Sequence, residues 1–247
     1  MSIRFVSHER RPDIVEADEL WREWPAFMLH DDVAAERWGQ LYDRYPAFQL
    51  WGLDPVTGAV AVKVNCAPAA LDPGDLPDAG WQEAVRGAVD DELEPTLLCA
   101  LQIQVAPARR GEGWSSVALA EMLRLGREQG FPDLVAPVRP SLKALYPLVP
   151  CERYVAWVRA DGLPFDPWLR VHARAGAAIV GVCQRSLVAS GTVADWEEWA
   201  GMAFPESGEY VVPGALVPVT IDREAGTAVY VEPNVWMHHR LSGMMGA

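Results

Sequence analysis

QIQVAPARRGEGWSSVALAEMLRLGREQG, residues 102–130, decides how the rest of this chain is read. A run of β-favouring residues ends at Pro107. Arg109 and Arg110 follow, then Gly111-Glu112-Gly113, then Trp114, Ser115 and Ser116 at the head of an amphipathic stretch. Leu119, Met122, Leu123 and Gly126 share one face of that stretch, Arg124, Arg127 and Glu128 lie off it, and Gly130 stands where a helix would end. Such a strand–loop–helix corner suits an anion. Glycines let backbone approach a ligand closely, and the unpaired N–H groups of a helix's first turn carry partial positive charge. Ser115 and Ser116 can cap the helix or donate to a phosphate. Arg109–Ser116 would fit a pyrophosphate; on spacing alone they also fit an ordinary strand-to-helix turn.

Two other phosphate motifs fail. A P-loop needs Gly-Lys-Ser/Thr, which occurs nowhere, and the dinucleotide fingerprint needs a third glycine where Ser116 stands. The chain has only two lysines, Lys63 and Lys143, against nineteen arginines, so any phosphate must be held by arginine and backbone N–H groups. Its 247 residues, half of them hydrophobic, can bury a sizeable core. The net charge of −13 argues against nucleic acid and anionic membrane as partners. No apolar run approaches the ~20 residues of a membrane span, and the first residues lack a signal-peptide core, which leaves the cytoplasm as the expected location. Cys66, Cys99, Cys151 and Cys183 are widely spread and read as reduced, buried thiols. His8, His30, His172 and the neighbours His238 and His239 offer no chelating spacing, so no metal is expected.

Working outward, residues 3–8 suit an edge strand. DELWREWPAFML reads as a helix from about Asp18, and DDVAAERWGQLYDRYP as a second, capped at Asp31 or Asp32. FQLWGLDPVTGAVAVKVNCAP reads as a hairpin, GWQEAVRGAVDDEL as a short helix, and TLLCALQIQVAP as a central strand. After the glycine-loop helix, DLVAPV makes a strand that is parallel to the central one or splayed from it. Residues 138–165 form a Pro- and aromatic-rich insertion, with Tyr146, Tyr154, Trp157 and Phe165, that suits either a lid over an acceptor pocket or a packed excursion. Asp166 then caps a helix with Pro167 in its first turn, Gly176 ends it, and a strand follows. Thr192 and Asp195 resemble a capping box. Trp196 and Trp199 share a helix face and read as core. A final hairpin turns at DREAG.

VAPARRGEGWSS resembles the acyl-CoA site of the GNAT superfamily, the Gcn5-related N-acyltransferases. Val105 and Pro107 match the end of that family's strand, and Arg110-x-x-Gly113-x-Ser115 its Gln/Arg-x-x-Gly-x-Gly/Ala loop. Ser115 replaces a glycine or alanine. The resemblance spans roughly residues 3–190 and 209–232. It implies an α/β (α+β) fold with a mixed, mostly antiparallel sheet flanked by helices, one domain over residues 1–247, with the 138–165 insertion and a C-terminal extension over 191–247. It also implies that the long strand and its successor part to admit pantetheine, which pairs with the backbone of Ile103, Gln104 and Val105. Arg109, Arg110, Gly111, Glu112, Gly113, Trp114, Ser115 and Ser116 would hold the pyrophosphate.

The activity so implied is direct transfer of an acetyl or other acyl group from acyl-CoA to a small acceptor, an amine. A family helix ends Leu-Tyr-x-x-x-Gly-Phe, and its tyrosine often protonates the departing thiolate. ALYPLVP supplies Tyr146, but Pro147 disfavours helix there. LRVHARAGAAIVGV has the helix, the glycine and the following strand, with His172 at the tyrosine position, so His172 is the leading candidate acid. The family's usual base, a glutamate on or beside the central strand, is replaced by Gln102 and Gln104, neither of which is a base. Glu152, Asp161, Glu232 and His238 are the substitutes considered. The alternative is a repurposed member that binds CoA or a phosphopantetheine-bearing acyl-carrier protein without ordinary N-acetylation. A homodimer is the candidate assembly.

Overall fold

A computed structural model of the protein describes residues 3–90 and 92–242. Asp91, in the stretch read as a helix over 80–93, and residues 243–247, the end of the 191–247 extension, lie outside the described residues.

The chain begins with strand β1 (Arg4–Ser7) and a single helical turn, α1 (Ile14–Ala17). The helix expected from Asp18 is instead two 3-10 turns, Leu20–Glu23 and Ala26–His30. Pro25 divides them. It has no N–H to donate, and its ring pushes Trp24 into an extended conformation, φ −77° and ψ 145°. The second expected helix also divides, into α2 (Asp32–Arg37) and α3 (Gln40–Arg44), at Gly39, the weakest helix former in the stretch. Its cap is where the sequence put it: Asp31 accepts from the Ala34 N–H at 2.8 Å.

Next come the hairpin β2 (Gln49–Leu53) and β3 (Val60–Ala69), helix α4 (Gly80–Val89) and strand β4 (Leu97–Val105). Helix α5 (Trp114–Glu128) and strand β5 (Asp133–Val138) complete the unit around the glycine loop. A short helix α6 (Cys151–Val155) lies in the insertion and precedes α7 (Pro167–Arg174). The extension carries β6 (Ala178–Thr192), α8 (Val193–Ala200), β7 (Gly208–Tyr210), β8 (Val219–Asp222) and β9 (Thr227–Arg240). The capping box is present, Thr192 and Asp195 each bonding the other's backbone N–H.

The strands form one sheet in the order β1-β2-β3-β4-β5-β9-β8-β7, with β6 on the other edge of β9. Every pairing is antiparallel except β4 with β5. That parallel pair holds at only Leu98↔Leu134 and Cys99↔Val135, and beyond it the two strands part. A bulge bends β4 at the same place. Ala100 and Gln102 face Cys66 and Asn65 of β3, which leaves Leu101 as the extra residue.

Helices cover both faces. Leu119, Met122 and Leu123 of α5 and Leu169 of α7 pack on Val62, Val64, Leu98, Leu134 and Met237. On the opposite face Ala84, Val85 and Ala88 of α4 pack on Leu97, Cys99, Val135 and Trp236. Each large aliphatic side chain so buried contributes roughly 1.5–3 kcal/mol. A third cluster, with Phe27, Trp196, Phe204 and Tyr230, ties the 3-10 turn Ala26–His30 to the extension. The four cysteines are free and buried. In the insertion, Tyr146, Tyr154, Trp157 and Phe165 pack edge-to-face or tilted against one another, with ring centroids 5.0–6.1 Å apart. Buried Lys143 donates to the Leu216 carbonyl at 2.6 Å. The insertion packs on itself and on the extension, and its first residues, Val138, Arg139 and Ser141, line the cavity described below. No helix among the described residues is long and apolar enough to cross a membrane.

Candidate active site

The parting of β4 from β5 opens a cavity of about 770 Å3. Ala100, Leu101, Gln102 and Ile103 line it from β4, and Ala136, Pro137 and Val138 from β5. Toward α5 and α7 the wall carries Arg110, Ser115, Trp168 and His172; toward the N-terminal segment it carries Trp21, Glu23, Trp24, Met28, Trp38 and Trp81. The cavity therefore reaches both sides of the sheet.

At the first side, Gly111 and Gly113 adopt φ +84° and +83°, a region glycine enters without strain. Ser116 and Val117 donate back to the Gly113 carbonyl. Among the described residues the N–H groups of Gly111, Glu112, Gly113, Trp114 and Ser115 make no hydrogen bond to protein. Arg110 lies across the mouth, its Nε 3.3 Å from the Val105 carbonyl and its Nη2 3.0 Å from Glu23. Arg109 points elsewhere. Its Nε donates to Asp54 in the β2–β3 turn at 2.8 Å, and its guanidinium lies 5.3 Å over the Trp114 ring. Arg109 thus fastens the loop to the hairpin, and unlike Arg110 it is not among the cavity-lining residues. Hydrogen bonds from the Thr57 and Val56 N–H groups, with Arg109 added, hold the Asp54 carboxyl down at about 2.

On the other side, the N-terminal segment is pinned over the sheet. Lys63 on β3 pairs with Asp18 at 2.6 Å, both buried, and Gln104 donates to the Leu20 carbonyl at 2.6 Å. Gln102 lines the cavity and bonds Gln104 at 3.2 Å. The Trp81 indole donates to the Leu101 carbonyl at 3.0 Å and so fixes the bulge.

His172 lines the cavity, as expected of a catalytic residue, but not as an imidazolium. It is buried, with Nδ1 3.0 Å from His239 Nε2. Burial, and then the neighbouring His239, push its pKa down to about 3. That shift favours the neutral imidazole at physiological pH, a different charge state from the expected cationic acid. Tyr146 does not line the cavity; it packs edge-to-face against Trp157 within the insertion. Among the carboxylates and histidine considered as bases, exposed Glu152 meets Gln184, exposed Asp161 pairs with Arg159 at 3.6 Å, and His238 meets Asp133 at 2.7 Å. Glu232 alone lines the cavity, buried and bound to Arg139 at 2.9 Å, Tyr230 at 2.7 Å and Asn234 at 3.1 Å. Burial pulls the Arg139 pKa down, and Glu232 together with Tyr230 more than offsets it, so the pKa is raised. Sequence reasoning missed Arg139, Lys63, Trp21, Trp24 and Trp38 as cavity residues. Only the scarcity of lysine marked Lys63, and nothing local marked the rest.

No family model matches the sequence. The arginine N-acetyltransferase avaD of Aspergillus versicolor is 33% identical over 245 residues, covering 87% of this chain and 84% of that protein. The chain belongs to the GNAT superfamily. It is an acyl-CoA-dependent N-acyltransferase, and the acyl group passes from coenzyme A to an amine. Two solved structures share the GNAT fold across almost the whole chain. The loading GNATL domain of CurA from Lyngbya majuscula aligns with a TM-score of 0.63 at 15% identity, covering 97% of each chain. The GphF GNAT-like decarboxylase, in complex with isobutyryl-CoA, aligns with a TM-score of 0.57 at 20% identity, covering 98% of this chain and 100% of that one. This GNAT chain keeps the mixed, mostly antiparallel sheet that its glycine loop led one to expect.

Proposed function

We propose that the enzyme transfers an acetyl group from acetyl-CoA to the amine of a small cationic acceptor of the arginine type. The observation that carries this reading is the cavity through the parted strands, which Arg110 and Ser115 of the anion corner line together with Trp21, Trp24, Trp38 and Trp81. Pantetheine lies along the open edge of β4 at Ile103, Gln104 and Val105. The free N–H groups from Gly111 to Ser115 and the Arg110 guanidinium take the pyrophosphate, and Arg110 exchanges Glu23 for phosphate. Trp21, Trp24, Trp38 and Trp81 suit a cation, because an aromatic face attracts ammonium or guanidinium. The acceptor named for the avaD relative, arginine, has that chemistry.

The amine attacks the thioester carbon, the tetrahedral adduct collapses to an amide, and the C–S bond breaks. Attack needs the neutral amine, so an ammonium first releases one proton to solvent; the proton that the neutral nitrogen then loses equals the one the thiolate gains. Neutral His172 then serves the site as a hydrogen-bonding wall. The test is incubation with acetyl-CoA and a panel of amines, following free thiol and acceptor mass. Stoichiometric thiol release with gain of one acetyl group on arginine-type amines, and not on neutral or anionic ones, is expected. Transfer confined to anionic acceptors would overturn the acceptor class. Acetyl-loaded carrier protein in place of acetyl-CoA, and light scattering of the free enzyme, test the carrier protein and the homodimer as partners; the expected outcome is transfer from acetyl-CoA in preference to the carrier.

A further inference from the structure

Arg139 follows the last residue of β5 and lines the cavity. Its guanidinium is held from behind. Nε meets the Glu232 oxygens at 3.0 and 2.9 Å, and Nη2 donates to the Gly214 carbonyl at 2.6 Å. Glu232 is itself fixed by Tyr230 and Asn234, and Asn234 accepts from Ser186 at 2.7 Å. These contacts fill the carboxylate's capacity to accept. Tyr230 also lies close to the guanidinium, and Nη1 of Arg139 makes no hydrogen bond to protein among the described residues, on a side chain that is one-fifth exposed and borders the cavity. A network of buried side chains thus locks a planar cation in one orientation and leaves one donor edge open. Stability alone does not call for this, since a buried ion pair is often no better than apolar packing. A planar donor edge matches a carboxylate.

We propose that Arg139 binds a substrate carboxylate, and that the acceptor is an amino acid or a molecule of that kind, held by its carboxyl group while its amine meets the acyl carbon. The proposal rests on the N-acyltransfer reading above. The cavity's tryptophans then receive the acceptor's cationic end, so the carboxylate and the cation of one molecule are recognised by different side chains. The same donor edge would receive a carboxylate arriving on a dicarboxylic acyl group, and the experiment separates the two sources.

Each amino acid of a panel, beginning with L-arginine and L-lysine, is compared with its carboxamide, which lacks the carboxylate charge, in the wild-type enzyme with acetyl-CoA. The expected result is a kcat/KM lower for the amide by roughly tenfold to a hundredfold, mostly in KM, as loss of one charged hydrogen-bond pair implies. Arg139→Lys, which keeps the charge and loses the fork, should narrow that ratio. Because Arg139 also supports the fold, the wild-type comparison decides by itself. Equal kcat/KM for acids and amides overturns the proposal. A preference for succinyl-CoA over acetyl-CoA with the amides as acceptors places the carboxylate on the acyl group and overturns the acceptor assignment. Failure of every amine, acid and amide alike, is a different failure: it sinks the arginine-type acceptor reading and the proposal with it.

Discussion

His172 and Asp54 show how burial and hydrogen bonding assign roles that residue type alone does not. The spacing Leu169-Arg170-Val171-His172 placed a titratable side chain at the site, and it is there. Its charge state was not legible, because the partner that depresses it, His239, lies on β9. His239 is also shifted down, to about 4, mainly by burial. Both folded-state values lie below the ordinary histidine value near 6.5, so the unfolded chain binds these protons first as pH falls. The histidine contribution to stability is therefore complete above about pH 6.5 and shrinks as pH drops toward 4 and 3. Each buried histidine costs up to about 1.4 kcal/mol per pH unit in that window. Urea midpoints should fall between pH 6.5 and 5, above the range in which carboxylates protonate; a flat profile there would deny the neutral pair. The rate profile, in turn, should show no acid limb near pH 6.5 belonging to His172. Asp54 and Arg109 carry a parallel lesson. An arginine in a phosphate-binding motif was read as a ligand, and a carboxylate 55 residues away in sequence had already engaged it.

At the scale of elements, what depended on local rules was legible. The caps at Asp31, Asp166 and Thr192 are in place, with Asp166 accepting from the Trp168 and Leu169 N–H groups. So are both hairpins and the glycine-loop helix. The two N-terminal helices were overextended because apolar periodicity outweighed Pro25 and Gly39 in the reading, whereas in the fold both breakers prevail. Helix α5 depends on one close approach that its amphipathic pattern only hinted at. A Cβ on Gly126 would come within 2.6 Å of Leu241 Cδ1 and 3.2 Å of Leu98 Cδ2. Gly126→Val should cost about 2–4 kcal/mol through overpacking against β4, read as a lower urea midpoint. Gly126→Ala should cost less than half as much, because the two contacts are the ends of leucine side chains. A Val variant as stable as the parent would mean that α5 does not press on β4 as described.

For the whole molecule, the glycine loop fixed the order of elements around it, and the fold follows. The acceptor half of the cavity was not legible, because it is assembled across the chain. Trp21 comes from a 3-10 turn and Trp24 from the extended residue that ends it, Trp81 from α4, Arg139 from beyond β5, and Glu232 and Asn234 from β9. No spacing rule connects such positions. Only the sheet order, which puts β9 beside β5, brings Glu232 to Arg139. The −13 charge has a simple consequence at this scale: it favours a cationic acceptor over an anionic one by long-range attraction, and the preference should weaken as salt rises. The account's central claim is that acyl-CoA occupies the parted edge of β4 and the free N–H groups of the glycine loop. Amide hydrogen exchange followed by mass spectrometry, with and without saturating acetyl-CoA, tests it directly. Slowed exchange concentrated in peptides covering residues 101–117 is predicted. Saturable binding with no slowing in those peptides would contradict it.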